Sequence, residues 1–194
     1  MAELSANDVT LFKQVLTGNR VAADTFAKKY TQKVFSYCYM RLRHFAKAED
    51  NTQETLLKFF MKMQSIRSPE KFKGYLFRIA RNCCIDQVKK NGREVLMPPN
   101  PDNDKSPSIQ SYLPPDTETP DKKLGKKQLA ALLDQKIGVL NALQREAIYL
   151  VHFEGMSYKD AGDILDCPVG TIKSNICRGI IKLGQLLKKD GIIS

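Results

Sequence analysis

Residues 155–183 read GMSYKDAGDILDCPVGTIKSNICRGIIKL, and the spacing within this stretch decides the architecture of the last third of the chain. Ser157, with Asp160 three residues on, is a helix-start signal, and a short helix runs from Tyr158 to about Leu165. A three-residue turn (Asp166, Cys167, Pro168) leads into a longer helix with proline at its first position. Short helix, tight turn and long helix together are the spacing of a helix-turn-helix. The second helix places Val169, Ile172, Ile176, Ile180, Leu183 and Leu187 on one side, leaving Thr171, Lys173, Ser174, Cys177, Arg178 and Lys182 to face a major groove. Short hydroxyls, a lysine and an arginine suit phosphates and base edges. An amphipathic hairpin with an ordinary solvated face has the same periodicity, so spacing alone leaves the two readings level.

Working upstream, Asn141 and Gln144 form a capping-box pattern that opens the helix ALQREAIYLVHFE, which stops at Gly155. Before it lies PPNPDNDKSPSIQSYLPPDTETPD, residues 98–121, which holds seven of the nine prolines and has no helical or alternating period. This is a linker. At about 3.1 Å per residue in polyproline-like form it spans on the order of 70 Å, roughly two turns of duplex. Residues 1–97 carry 18 basic and 9 acidic groups, 98–121 carry 1 and 5, and 122–194 carry 12 and 7. Two basic modules joined by an acidic strap imply two separate contacts with a polyanion, and the strap is repelled from it.

The first module is also helical in period. Leu11, Val15 and Leu16 stop at Gly18, and a second helix runs through Phe26, Tyr30, Val34, Phe35 and Cys38. Glu49, Asp50 and Glu54 open a third, carrying Leu56, Leu57, Phe60 and Met63 and ending near Ser65. Ser68 and Pro69 cap a fourth, with Phe72, Leu76, Ile79 and Cys83 on one face, running to about Lys90. The fold class is therefore all-α: two small helical domains joined by a flexible linker, the C-terminal one a helix-turn-helix.

Composition narrows the function classes. Lys and Arg outnumber Asp and Glu by 31 to 21 in 194 residues, which draws the protein toward phosphate backbones or anionic lipid. No apolar run approaches the roughly 18 residues of a membrane span, and MAELSANDVT lacks the pattern of a signal peptide, so a cytoplasmic protein is expected. The five cysteines contain no CxxC pair, and reduced, packed thiols are the expected state. With two histidines and no GxGxxG, Walker, HExxH or GxSxG pattern, an enzyme is not expected.

Three stretches share one resemblance. GMSYKDAGDILDCPVGTIKSNICRGIIKL resembles the C-terminal DNA-binding region of extracytoplasmic-function (ECF) sigma factors, down to the CPVGTIKS run. AEDNTQETLLKFF (48–60) resembles their polymerase-binding helix, and FKGYLFRIARNCCIDQVKK (72–90) their promoter-melting, minus-ten-reading helix. The resemblance implies a region 2 domain over 1–95, an acidic linker over 96–122 and a region 4 domain over 123–194. It implies that Glu49, Asp50, Gln53 and Glu54 contact the basic coiled coil of the largest polymerase subunit; a helix cap with a solvated acidic face is the plain alternative. The loop Ser65, Ile66, Arg67, Ser68 stands where the family pockets a flipped minus-ten base, with Phe72, Tyr75, Arg78, Arg81 and Asn82 as candidate contacts. Phe72 reads equally as core, since it lies on the apolar face. Thr171 would hold a phosphate while Lys173, Ser174, Cys177 and Arg178 approach the minus-thirty-five base edges.

The family differs at a few positions. It often has apolar residues where Asn51 and Thr52 stand, commonly tryptophan at Tyr75, and usually a basic residue at Asn175, whose loss should cost one phosphate contact. The resemblance implies no cofactor and no small-molecule substrate; its partners are core RNA polymerase, promoter DNA and an anti-sigma factor. A stand-alone operator-binding regulator would use the same helix-turn-helix but leaves the first module unexplained. A nucleic-acid enzyme would need clustered carboxylates, whereas the acids here sit mostly at helix starts.

Overall fold

The computed structural model describes residues 2–90 and 136–190, so the proline-rich strap lies outside the described residues. Every element among them is helical. The N-terminal unit contains α1 (Ala2–Leu16), α2 (Arg20–Leu42), α3 (Phe45–Lys62), two single 3-10 turns (Met63–Ser65 and Pro69–Lys71) and α4 (Phe72–Lys90). The C-terminal unit contains α5 (Ala142–Ile148), a π-helical segment (Tyr149–Phe153), α6 (Tyr158–Leu165) and α7 (Val169–Lys189).

The local signals act as their chemistry requires. Gly18 takes φ +83°, ending α1, and Asn19 caps α2 by accepting from the Ala22 N–H at 3.1 Å. The Asn141–Gln144 capping box forms in both directions, at 2.8 and 3.2 Å. Ser157 accepts from the Asp160 N–H at 3.0 Å, and Asp166 closes α6 in the left-handed conformation. α7 begins at Val169, with Pro168 as its cap rather than its first residue.

α3 differs from its sequence reading. It starts at Phe45, where the His44 ring accepts from the Lys47 N–H, so Glu49 and Asp50 lie a turn beyond the start. Its buried residues are Ala48, Asn51, Thr52, Thr55 and Phe59, while Leu57 is exposed and Leu56, Phe60 and Met63 are half-buried. The polar side chains are tolerated inside because they bond the backbone of their own helix. Asn51 Nδ2 donates to the Lys47 carbonyl at 2.7 Å, and the Thr52 and Thr55 hydroxyls donate to the carbonyls of Ala48 and Asn51 at 2.6 Å.

An aromatic cluster closes the N-terminal unit. Phe12 of α1 stacks on Phe72 at the start of α4 with centroids 4.7 Å apart, and Phe26, Tyr30 and Phe59 complete the group. All five rings are fully buried. Beside them the buried Asp8 carboxylate joins three helices, bonded to Lys29 at 2.5 Å and Lys73 at 2.6 Å.

Burial pushes the Asp8 carboxyl up, but hydrogen bonds and charge from the two lysines outweigh it and hold it below its ordinary 3.8. A carboxyl depressed in the folded state adds stability that is complete above its unfolded value and disappears as pH falls through its folded one. Asp8→Asn should therefore destabilise the protein at pH 7, by less than the ~3–5 kcal/mol of a fully buried pair because both ammonium groups reach water. The gap between variant and parent should close below about pH 3.8. Urea unfolding at a series of pH values checks this.

The two units pack on each other. α2 meets α5, and α4 meets α6; Tyr149 of the π-helical segment also reaches α2, with its ring 5.9 Å from that of Tyr37. The Glu146 carboxylate of α5, only 1% exposed, accepts from the Tyr37 hydroxyl at 2.8 Å and from Arg41. Glu154, just after the π-helical segment, pairs with Lys33 at 2.7 Å. The Tyr149 hydroxyl donates to the Lys33 carbonyl at 2.8 Å, and Arg145 Nε donates to the Met40 carbonyl at 3.1 Å.

Candidate nucleic-acid interface

The four residues assigned to polymerase contact form one exposed ridge. Glu49, Asp50, Gln53 and Glu54 all face solvent along α3, and Glu54 pairs with Lys58 at 2.7 Å. Asn51 and Thr52 point the other way, into the core, so this chain's departure from the family pattern lies behind the ridge and not on it. The sequence reading missed that Leu57 (63% exposed) and Met61 (76%) prolong the same face. Their spacing from Gln53 and Glu54 carries that signal, but large apolar residues at helical spacing are normally assigned to a core.

The loop between α3 and α4 presents Ser65, Arg67 and Ser68 to solvent and tucks Ile66 partly against the core. These four line a cleft of about 910 Å³ that also borders Lys71, Tyr75 and Arg78 and is walled on its far side by Glu154, Asp160 and Asp163 of the C-terminal unit. Tyr75, Arg78 and Asn82 share one side of α4 with Arg81 beside them; Asn82 and Arg78 are exposed, Tyr75 and Arg81 half-buried. Phe72 does not belong to this surface. Its ring is fully buried and edge-on to Tyr30 at 5.4 Å, so its assignment to the minus-ten contact is corrected to core. The apolar face that α4 turns to the other helices takes Phe72 with it.

Arg78 and Arg81 are also engaged. Arg78 donates to the Asp163 carbonyl and Arg81 to the Leu165 carbonyl, each at 3.2 Å, so α6 lies directly over this part of α4.

The helix-turn-helix holds together through a close approach. A Cβ on Gly162 of α6 would stand 2.7 Å from the Cys167 carbonyl oxygen, so only glycine fits where the turn folds back. On α7, Ile172 and Ile176 are buried as the periodicity requires, but Val169 and Ile180 are substantially exposed. Lys173, Cys177 and Arg178 face solvent, while Thr171 and Ser174 are half-buried. Ser174 donates to the Thr171 carbonyl at 3.0 Å and accepts from Arg178 at 3.3 Å, and Lys173 rests 5.5 Å from the Tyr158 ring centre. Asn175 turns inward and donates to the Thr171 carbonyl, so it stands off the groove-facing side. Lys182 donates to the Val139 carbonyl, at the edge of that side.

All five cysteines are free thiols. A hydrogen bond with the neighbouring Cys84, together with burial, pushes the pKa of the Cys38 thiol up. Among the described residues no three side chains are grouped to hold a metal ion, and no helix is long and apolar enough to cross a membrane.

Known proteins share this arrangement. Residues 26–94 match the sigma-70 region 2 family, and residues 130–183 match sigma-70 region 4. The ECF RNA polymerase sigma factor SigW of Bacillus subtilis is 29% identical, over 91% of this chain and 94% of that protein. The ECF sigma-E factor of Haemophilus influenzae is 30% identical, over 92% and 93%. Among solved structures, the sigma factor RpoE of Bartonella quintana, co-crystallised with the anti-sigma factor NepR, superposes with a TM-score of 0.60 at 30% identity, over 81% of this chain and 91% of that one. Two family matches in chain order, with relatives aligned over nearly their whole length, place this chain among the extracytoplasmic-function sigma factors of the sigma-70 family.

Proposed function

We infer that the two units divide the reading of a promoter, α4 and the loop before it taking the minus-ten element and α7 the minus-thirty-five element. As an ECF sigma factor the chain directs promoter-specific initiation by RNA polymerase and is not itself an enzyme. The observation that carries the division of labour is the exposed polar side of α7, where Lys173, Cys177 and Arg178 project away from the buried Ile172 and Ile176. Thr171 and Ser174 lie beside them at the helix start, where N–H groups favour phosphate.

Glu49, Asp50, Gln53 and Glu54, with Leu57 and Met61 beyond them, form the surface for core polymerase. A charged patch running into an apolar one combines steering with buried area. Ser65, Ile66, Arg67 and Ser68 receive a flipped base, with Tyr75 offering a stacking face and Arg78, Arg81 and Asn82 the polar contacts. The domains divide as 1–95, 96–122 and 123–194, the acidic strap following a basic channel of the polymerase. The chain works in the cytoplasm. Since the related RpoE binds an anti-sigma factor, an anti-sigma partner controls this chain as well.

The test mixes the purified chain with sigma-free bacterial core polymerase and fragmented genomic DNA and maps the starts of the RNA made. Discrete starts sharing two upstream elements, absent without the chain, are expected. Arg178→Ala should weaken recognition at one minus-thirty-five position by about 1–3 kcal/mol, roughly five- to 150-fold, and relax base preference there alone. Tight binding of duplex sites by the chain alone, with no dependent starts on several cores, would mean a stand-alone regulator instead.

A further inference from the structure

Tyr158 is the first residue of α6, the helix of the pair that does not enter the groove. Its place is set by the Ser157 cap, whose hydroxyl oxygen accepts from the Asp160 N–H at 3.0 Å. The ring is 38% exposed, and among the described residues it belongs neither to the buried core nor to the apolar side chains packed against it. A ring so placed contributes little to the fold. What it faces is Lys173 of α7, whose ammonium group stands 5.5 Å from the ring centre. That is inside the ~6 Å within which a cation is drawn to the negative face of an aromatic ring.

The two basic side chains on the groove side of α7 are therefore held by different means. Arg178 donates to the Ser174 hydroxyl at 3.3 Å, and Ser174 in turn donates to the Thr171 carbonyl, so Arg178 is steadied by its own helix. Lys173 pairs with no carboxylate among the described residues. Its steadying group comes from the other helix, across the turn.

The chemistry of that choice suits a side chain that must meet DNA. Lysine ends a long flexible stem, and ordering it on one base edge costs entropy that a preset position reduces. A carboxylate partner would preset it too, but would occupy its donors and repel the phosphates nearby. An aromatic face orients the ammonium without neutralising it. Lys173 is the fifth residue of α7, in the N-terminal part of a recognition helix that contacts base edges, whereas the first helix crosses the backbone. We propose that Tyr158 is a positioning residue for minus-thirty-five recognition: its ring sets the Lys173 ammonium for one base edge without itself touching the bases. The proposal rests on the assignment of Lys173 to the minus-thirty-five element.

The experiment measures the affinity of the chain, assembled with core polymerase, for a promoter taken from the mapped starts and for copies substituted singly through the minus-thirty-five element. Parent, Tyr158→Phe and Tyr158→Leu are compared, each with Lys173 present and with Lys173→Ala. Lys173→Ala should relax preference at one base position and so identify it. Tyr158→Phe keeps the ring and should bind as the parent does. Tyr158→Leu should lose about two- to fivefold, the ratio that a cation–π contact at an exposed site supplies. Its loss of base preference should fall at the position that Lys173→Ala identifies and at no other. In the Lys173→Ala background the same leucine should cost nothing further.

Equal losses from Tyr158→Leu in both backgrounds, or losses spread over every base position, would mean a structural role and overturn the proposal. So would parent-like binding by Tyr158→Leu. A loss in Tyr158→Phe as large as in Tyr158→Leu would show the hydroxyl acting directly on the backbone instead. If Lys173→Ala changes preference at no position, the reading of Lys173 falls and the positioning role falls with it; in every other failure Lys173→Ala still relaxes one position. Thermal melting checks the fold, and should Tyr158→Leu melt early, Tyr158→Gln, which also lacks the ring, must meet the same expectations.

Discussion

Phe72→Ala will cost about 3–5 kcal/mol of stability, as removal of a fully buried phenylalanine ring generally does. The ring touches three others from two helices: Phe12 at 4.7 Å, Tyr30 at 5.4 Å and Phe26 at 5.6 Å. Alanine there opens a cavity where α1, α2 and α4 converge, and helices held by so many shared rings cannot collapse to fill it. With total stabilities of roughly 5–15 kcal/mol for single domains, the loss is a large fraction of what holds the N-terminal unit together. Urea unfolding followed by circular dichroism should show the midpoint falling sharply. A ring that served to stack on promoter bases would behave oppositely, leaving the midpoint in place while promoter opening fell.

Gly162→Ala sets two effects of opposite sign against each other. In an exposed helix interior, alanine is about 1 kcal/mol better than glycine, so propensity alone expects a more stable protein. Here the added methyl would sit 2.7 Å from the Cys167 carbonyl oxygen, a backbone atom that no side-chain rotation can remove. Relief requires α6 to move away from the turn, and such overpacking costs about 1–3 kcal/mol. The net effect is destabilisation, but the larger consequence is orientation. α7 leaves this turn with Lys173 and Arg178 at fixed angles to the groove, so a tilt of the hairpin should cut minus-thirty-five-dependent initiation tenfold or more. Thermal melting and start-site usage at promoters of differing minus-thirty-five quality check both parts; an unchanged or raised melting temperature would show that the turn yields easily.

Much of this could be read from the residues because it is set locally. Asn141 with Gln144, Ser157 with Asp160, and Pro69 act within one helical turn, and each stands in the chain where its geometry is needed. The side of α7 that carries Lys173 and Arg178 follows from the 3.6-residue period alone. α3 was harder because periodicity weighs apolar residues, whereas its core side carries Asn51, Thr52 and Thr55, each donating to a carbonyl one turn back. Leu57, read among the apolar positions of the third helix, instead faces out beside the acidic ridge, with Met61 exposed one turn on. Phe72 could be placed either way from sequence, and only the position of Phe12, sixty residues earlier, decides it. The pairing of Glu146 with Tyr37 and Arg41 spans more than a hundred residues, and no local pattern distinguishes that glutamate from a solvated one.

The π-helical segment at Tyr149–Phe153 fixes something besides contacts. Each α-helical residue turns the chain by about 100°, and a π-helical turn accommodates one residue more than an α-helical turn does. The Glu154 N–H reaches the Tyr149 carbonyl at 3.0 Å across that wider loop. Deleting a single residue here would restore a regular helix, yet it would swing Glu154 and everything after it by about a quarter of a revolution. In descendants of this gene, the count of residues between Tyr149 and Glu154 should therefore be held more strictly than their identities. A lineage one codon shorter there would present a different side of its helix-turn-helix to its own N-terminal half.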